Sequence, residues 1–187
     1  MLDKLMLEKL VEKELKGLPI FGLSQIERVK KNSIKLKEGL KHEKEVLELS
    51  VMLHNAGAKQ CIQFTQDFIQ YSVALAKKFL SRANYPSKKM DSIIHCIQEA
   101  HLNGQPKTIE AKILHDAVLL DEIGAIGVLK DSISFYSQKK SLQNFREFLR
   151  AKSYHLKNAF FTEKGKELAI EGITSYNEFV ERLEREL

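Results

Sequence analysis

The chain has 187 residues, 43% of them hydrophobic, with 30 basic against 25 acidic side chains and a net charge of +5. No apolar run approaches the roughly 18 to 20 residues of a membrane span. The opening MLDKLMLEKLVEKELKG sets charges among its leucines, unlike the unbroken apolar stretch of a secretory signal. The basic clusters RVKK, PSKK and SQKK are short, scattered and free of interleaved aromatics, so they read as solvated helix faces rather than a nucleic-acid surface.

Helical signals dominate the chain. Pro19, Pro86 and Pro106 each fall where apolar periodicity breaks, and no strand-like alternation stands between turn signals. A first amphipathic helix is predicted from about Leu2 to Leu15, with Leu2, Leu5, Met6, Leu10, Val11 and Leu15 on one side and Gly17-Leu18-Pro19 ending it. Ser24 and Glu27 form an S-x-x-E capping box, which predicts a helix from Ser24 to about Glu38 that buries Ile26, Val29, Ser33, Ile34 and Leu36 before Gly39. The next helix, about Glu43 to Asn55, has apolar residues around nearly its whole circumference and should be central.

A further helix is predicted over about Thr65 to Arg82. Pro86-Ser87 opens another that runs to about His101. NGQPKT is a turn, and Thr108 caps a helix whose apolar positions continue past Val128. Two more helices follow, roughly 140 to 159 and 162 to 185, the latter started by Thr162. With no repeat, low-complexity tract or dividing linker, the sum is an all-α, single-domain bundle of about seven or eight helices. Cys61 and Cys96 fit no CxxC spacing and read as buried free thiols of a reducing cytoplasm. Neither a P-loop nor a dinucleotide fingerprint is present.

Three segments together resemble the HD-domain superfamily, in particular its small bacterial and archaeal phosphohydrolase-like members. They are LSQIERVKKNSIKL, EVLELSVMLHNAGA and KTIEAKILHDAVLLDEIGAIGV, in the family's order and spacing; the closing FTEKGKELAIEGITSYNEFVERLEREL is similar as well. The likeness divides the chain into an N-terminal amphipathic helix (1–17), an HD-like core (20–130) and C-terminal helices (131–187). It implies a metal-dependent phosphohydrolase in which a histidine, a His-Asp pair and a distant aspartate hold a divalent ion. The ion would polarise a phosphoryl oxygen and activate its water.

Carried over position by position, the first histidine falls on Gln25, the His-Asp pair on His54 and Asn55, and the last aspartate on Val118. Asn55 keeps the shape of an aspartate without its charge, Gln25 offers a weak amide oxygen, and Val118 offers nothing. One imidazole and no carboxylate cannot offset the cost of dehydrating a divalent cation. Two further family positions, a pocket histidine and a basic residue, fall on Phe68 and Leu119; another histidine falls near Ala100, next to His101.

The expectation is therefore a dismantled metal site with no cofactor. Arg28, His101, Asp116 and Asp121 are the candidate polar residues of the remaining cleft. Asp116 and Asp121 read first as hydrogen-bonding groups that position the long helix. In second place, with His101 and His115, they read as substitute metal ligands of a retained phosphohydrolase. His54 and Asn55 also suit an ordinary helix C-terminus before Gly57. The expected activity is binding of a small phosphorylated ligand or a protein partner, and the first helix offers a surface for a homodimer. A helical interaction module is the remaining alternative.

Overall fold

The computed structural model describes residues 4–61, 68–139 and 141–187. Its helices are α1 (Lys4–Leu15), α2 (Leu23–Leu36), α3 (Lys44–Leu53), α4 (Ala58–Cys61), α5 (Phe68–Arg82), α6 (Ser87–Gln98), α7 (Ile109–Leu120), α8 (Gly124–Ser137), α9 (Leu142–Leu156) and α10 (Glu163–Glu186). No strand occurs among the described residues. No helix among them is long and apolar enough to cross a membrane. The all-α fold expected from periodicity is the one observed.

α3 is central, as its all-round hydrophobicity predicts. Val46, Leu47, Leu49, Ser50, Val51 and Leu53 are all buried, and α3 packs on both α6 and α7. α2 runs along α7. The first core unites α1 to α7. A second core holds Leu149, Leu156, Phe160, Tyr176 and Val180 with Leu119, and Leu120 packs against both.

Several local expectations are corrected. The stretch from Thr108 past Val128 is two helices, not one. α7 ends at Leu120, and the chain turns through Asp121, Glu122 and Ile123. Gly124 then starts α8 at φ +66°, a left-handed value that a side chain would strain. This break and the single turn α4 raise the described helical segments above the seven or eight expected. Ser24 does not cap α2; the cap lies two residues earlier at Gly22, and the Ser24 hydroxyl donates to the Pro19 carbonyl at 2.6 Å. α1 buries Leu7, Val11 and Leu15, while Leu5 and Met6 face outward. Ile34 is exposed where burial was expected. α6 stops at Gln98, short of His101. Residues 62–67, the start of the helix predicted from Thr65, and the side chain of Cys61 lie outside the described residues. Cys96 is fully buried, and burial pushes its thiol up to about 11.

The caps at Thr108 and Thr162 form as predicted. Each hydroxyl accepts from the backbone N–H three residues on, at 3.2 Å from Ala111 and 3.0 Å from Gly165. Thr162 is itself held by Asp116, 46 residues earlier. The buried Asp116 carboxylate accepts from the Phe161 N–H, from the Thr162 N–H at 2.7 Å and from the Thr162 hydroxyl at 2.7 Å. It thus closes the orphan donors at the start of α10 and pins that helix to α7. Gly165 is required beside it, because a Cβ there would stand 2.4 Å from Asp116 Oδ2.

The second core encloses charge. The Lys152 ammonium of α9 bonds Asp131 Oδ1 and Oδ2 of α8 at 3.0 and 2.9 Å, and the Tyr176 hydroxyl of α10 donates to Asp131 Oδ2 at 3.0 Å. Burial opposes the Lys152 charge, but Glu122 and Asp131 outweigh it and hold the group above the ordinary lysine range. Replacing Asp116 with Ala should leave the buried Thr162 N–H and the Phe161 N–H without their acceptor and cost about 3 kcal/mol in denaturant unfolding. A loss under about 0.5 kcal/mol would show that α10 does not depend on this anchor.

Candidate functional site

Of the positions that carry the resemblance, Gln25 and Asn55 are joined directly. Gln25 lies in the first turns of α2, His54 and Asn55 end α3, and Val118 lies in the last turn of α7. All four are buried. Asn55 donates from Nδ2 to Gln25 Oε1 at 2.9 Å and, from the same nitrogen, to the Phe21 carbonyl. A neutral amide pair thus joins the end of α3 to α2.

His54 turns its ring back on its own helix. Nδ1 lies 2.7 Å from the Val51 carbonyl, which can only accept, so Nδ1 carries the proton and Nε2 presents a lone pair. That lone pair is buried and has no partner among the described residues. Burial pushes the imidazole down to about 4 from 6.5. The bond to Val51 and the charges of Asp121 and Glu122 oppose the shift, and Lys130 adds to it.

Asp121 caps the end of α7 between two cations. Arg28 Nε bonds its Oδ1, Arg28 Nη2 reaches Oδ2 at 3.2 Å, and Lys130 Nζ lies 3.0 Å from Oδ2. Arg28 Nη2 also donates to the Ile20 carbonyl at 3.0 Å. Asn32 Nδ2 donates to the Ala117 carbonyl at 3.1 Å. These bonds fix the Ile20–Phe21 segment and α2 against the α7–α8 junction.

Above this frame opens a cleft of about 510 Å³. Gln25 and Asn55 line it with Leu18, Pro19, Phe21 and Phe68. On the other side stand Glu122, Lys130, Ile133, Ser134 and Ser137. Of the expected cleft residues, Arg28 and Asp121 lie beneath it and reach it through Lys130. Asp116 and His101 do not line it. Asp116 is committed to the start of α10, and His101 lies in the turn after α6, where burial lowers its proton affinity.

Among the described residues, Glu122 and Lys130 are the cleft's charged groups, and sequence reasoning missed both. Burial would raise the Glu122 carboxyl, but Lys152, 3.6 Å away, and Lys130 hold it below the usual carboxylate range. A signal for Lys130 was present. Lys130 and Asp131 are the charged residues of the otherwise uncharged run from Ile123 to Gln138, a pattern that calls for buried partners.

The donor set does not suit a divalent ion. His54 Nε2 could ligate, but the other positions that the resemblance assigns to ligands carry two amides already bonded to each other and a valine. The nearby carboxylate of Asp121 is spent on Arg28 and Lys130, and the Lys130 ammonium adds positive charge where an ion would need negative. No group of three His, Cys, Asp or Glu side chains suited to a metal occurs among the described residues.

The buried imidazole makes stability depend on pH. Below pH 6.5 the unfolded chain protonates His54 while the folded chain resists until about 4, so stability falls as pH drops through that window. The full shift corresponds to about 3 kcal/mol. Denaturant unfolding from pH 7 to 4 should show the decline, and His54→Leu should flatten it. An equally steep slope in the variant would assign the effect to other groups.

Neither a protein-family model nor a curated protein matches the sequence. Solved structures do match over almost the whole chain. A protein of Lactobacillus plantarum superposes with a TM-score of 0.79 at 17% identity, covering 100% of this chain and 98% of its own. YpgQ of Bacillus subtilis, solved in complex with ADP, gives 0.74 at 22% identity and covers 97% of this chain and 93% of its own. A predicted HD superfamily hydrolase from an uncultured Thermotogales bacterium gives 0.65 at 20% identity, with 98% and 92% covered. With its helices in this order and almost the whole of each chain covered, the protein has the fold that these structures share, that of a predicted HD superfamily hydrolase among them.

Proposed function

We propose that this HD-fold protein has lost metal-dependent phosphohydrolase chemistry. It works without a metal cofactor, by binding a small phosphorylated, nucleotide-like ligand in the cleft beside Gln25 and Asn55. The observation that carries this reading is the 2.9 Å bond from Asn55 Nδ2 to Gln25 Oε1. Two positions that would ligate an ion in an active relative instead satisfy each other as neutral amides, so the chain gains fold stability where it gives up a charged site.

The ligand class rests on the cleft. Its volume of about 510 Å³ lies in the range of small-molecule sites, and its walls are mostly apolar with a few convergent polar groups. A similar fold, YpgQ, has been solved in complex with ADP. Lys130 supplies positive charge for a phosphate, although Asp121 already claims part of it.

Metal analysis, calorimetry and turnover assays on the purified chain test this reading together. The protein should carry no stoichiometric divalent metal. ADP should bind with the same affinity in EDTA and in manganese, and p-nitrophenyl phosphate and nucleotides should not be hydrolysed. The combined variant Gln25→His, Asn55→Asp, Val118→Asp should gain a tightly bound divalent ion. Metal-dependent turnover by the unmodified chain would overturn the proposal, as would failure of ADP and other nucleotides to bind.

A further inference from the structure

The Gln25–Asn55 pair still has hydrogen-bonding capacity to offer. The Phe21 carbonyl can only accept, so the Asn55 nitrogen must face it. That nitrogen also serves Gln25 Oε1. Both amide orientations are thereby fixed without reference to any ligand. What remains is Asn55 Oδ1, an acceptor, and Gln25 Nε2, a donor. Neither bonds any described residue, and neither is sealed away from solvent. Yet the residues that carry them are only 1% and 4% exposed, and both line the cleft. The two unpartnered atoms are therefore presented to the cleft from an otherwise buried floor.

A phosphate does not fit such a floor. Its oxygens could accept from Gln25 Nε2 but would meet the lone pairs of Asn55 Oδ1, and both amides are neutral. A metal-bound water is excluded by the same neutrality. The complementary group is uncharged and carries an acceptor beside a donor on one edge, as in a lactam or amidine. A planar ring bearing such an edge would also suit the apolar side chains of Phe21 and Phe68 in the walls.

We propose that Gln25 and Asn55 read the hydrogen-bonding edge of a nucleobase-like heterocycle. The base end of the ligand, not its phosphate end, then occupies the place where a metal would sit in an active relative. Gln25 Nε2 donates to the ring's carbonyl or imine acceptor, and Asn55 Oδ1 accepts from its adjacent N–H. Any phosphate lies outward, away from the amide floor. This rests on the proposal that the cleft binds a nucleotide-like ligand, and it specifies which way round that ligand lies.

Calorimetric titration with uridine, guanosine, adenosine and cytidine, their 5′-diphosphates, and pyrophosphate tests the orientation. At least one nucleoside should bind without phosphate, and pyrophosphate should not displace it. Blocking the edge with a methyl group, as in 3-methyluridine or 1-methylguanosine, should weaken the parent's binding by at least about tenfold. Gln25→Glu keeps an acceptor for Asn55 but replaces the donor, so it should cost a similar factor; its melting temperature reports whether the fold is intact. The methylated probes give the answer even if that variant fails to fold. Diphosphates that bind while every nucleoside fails, or methylated nucleosides that bind as well as their parents, would overturn the orientation and leave the nucleotide site standing. Failure of nucleosides, diphosphates and pyrophosphate alike would overturn both.

Discussion

The site depends on the clamp around Asp121. This carboxylate closes α7, takes Arg28 from α2 and takes Lys130 from α8. With Gly124 it sets the break between α7 and α8. Arg28 also holds the Ile20 carbonyl, so the clamp sets the wall from which the Phe21 carbonyl meets Asn55. The charges continue outward. Arg28, Lys130 and Lys152 alternate with Asp121, Glu122 and Asp131 from α2 through the α7–α8 junction to α9. Buried ions are tolerated when each has partners of opposite sign, and removing one leaves its neighbours uncompensated. Glu122 stands in the middle of this chain and at the cleft surface, so the cleft shares its electrostatics with the second core.

A hydrolytic metal site and this arrangement answer the same packing problem differently. The end of α3 delivers two polar side chains into a buried corner, and each must be satisfied. A divalent ion would do that while supplying chemistry. Here His54 satisfies itself on Val51 and Asn55 bridges to Phe21 and Gln25, all without charge. The buried His54 Nε2 lone pair is left without a partner among the described residues. Burial keeps that ring neutral, which suits a corner where Lys130 already disfavours a second positive charge.

The fold was legible because its signals are local. Thr108 and Thr162 announce helix starts by their side chains, and α3 announces its central place by hydrophobicity all round. The errors were local competitions that tertiary contacts decided. Ser24 donates to Pro19 instead of capping α2, and Asp121 with Gly124 breaks a periodic stretch that reads as one helix. Within the site, the resemblance picked out Gln25 and Asn55, which the structure joins by a hydrogen bond. It could not show that Asn55 bonds Gln25 or that Arg28 reaches Asp121, 93 residues away. It also ranked Asp116 and His101 as cleft residues, although the first is spent on the start of α10 and the second lies in the turn after α6. Which of several acids faces a cleft is decided by packing between distant helices, and one sequence does not contain that.

The retained scaffold follows from the same division of labour. Asp116 and Asp121 are two acids close to Val118 in the chain, and both have structural work independent of any ion: one starts α10, the other ends α7. Val118 itself becomes one more apolar residue of the first core. The helix anchors of this fold therefore need no ion beside Gln25, His54 and Asn55. Asp116 is held by backbone N–H groups and a hydroxyl, and Asp121 by two cations, so each buried carboxylate is compensated by the protein itself.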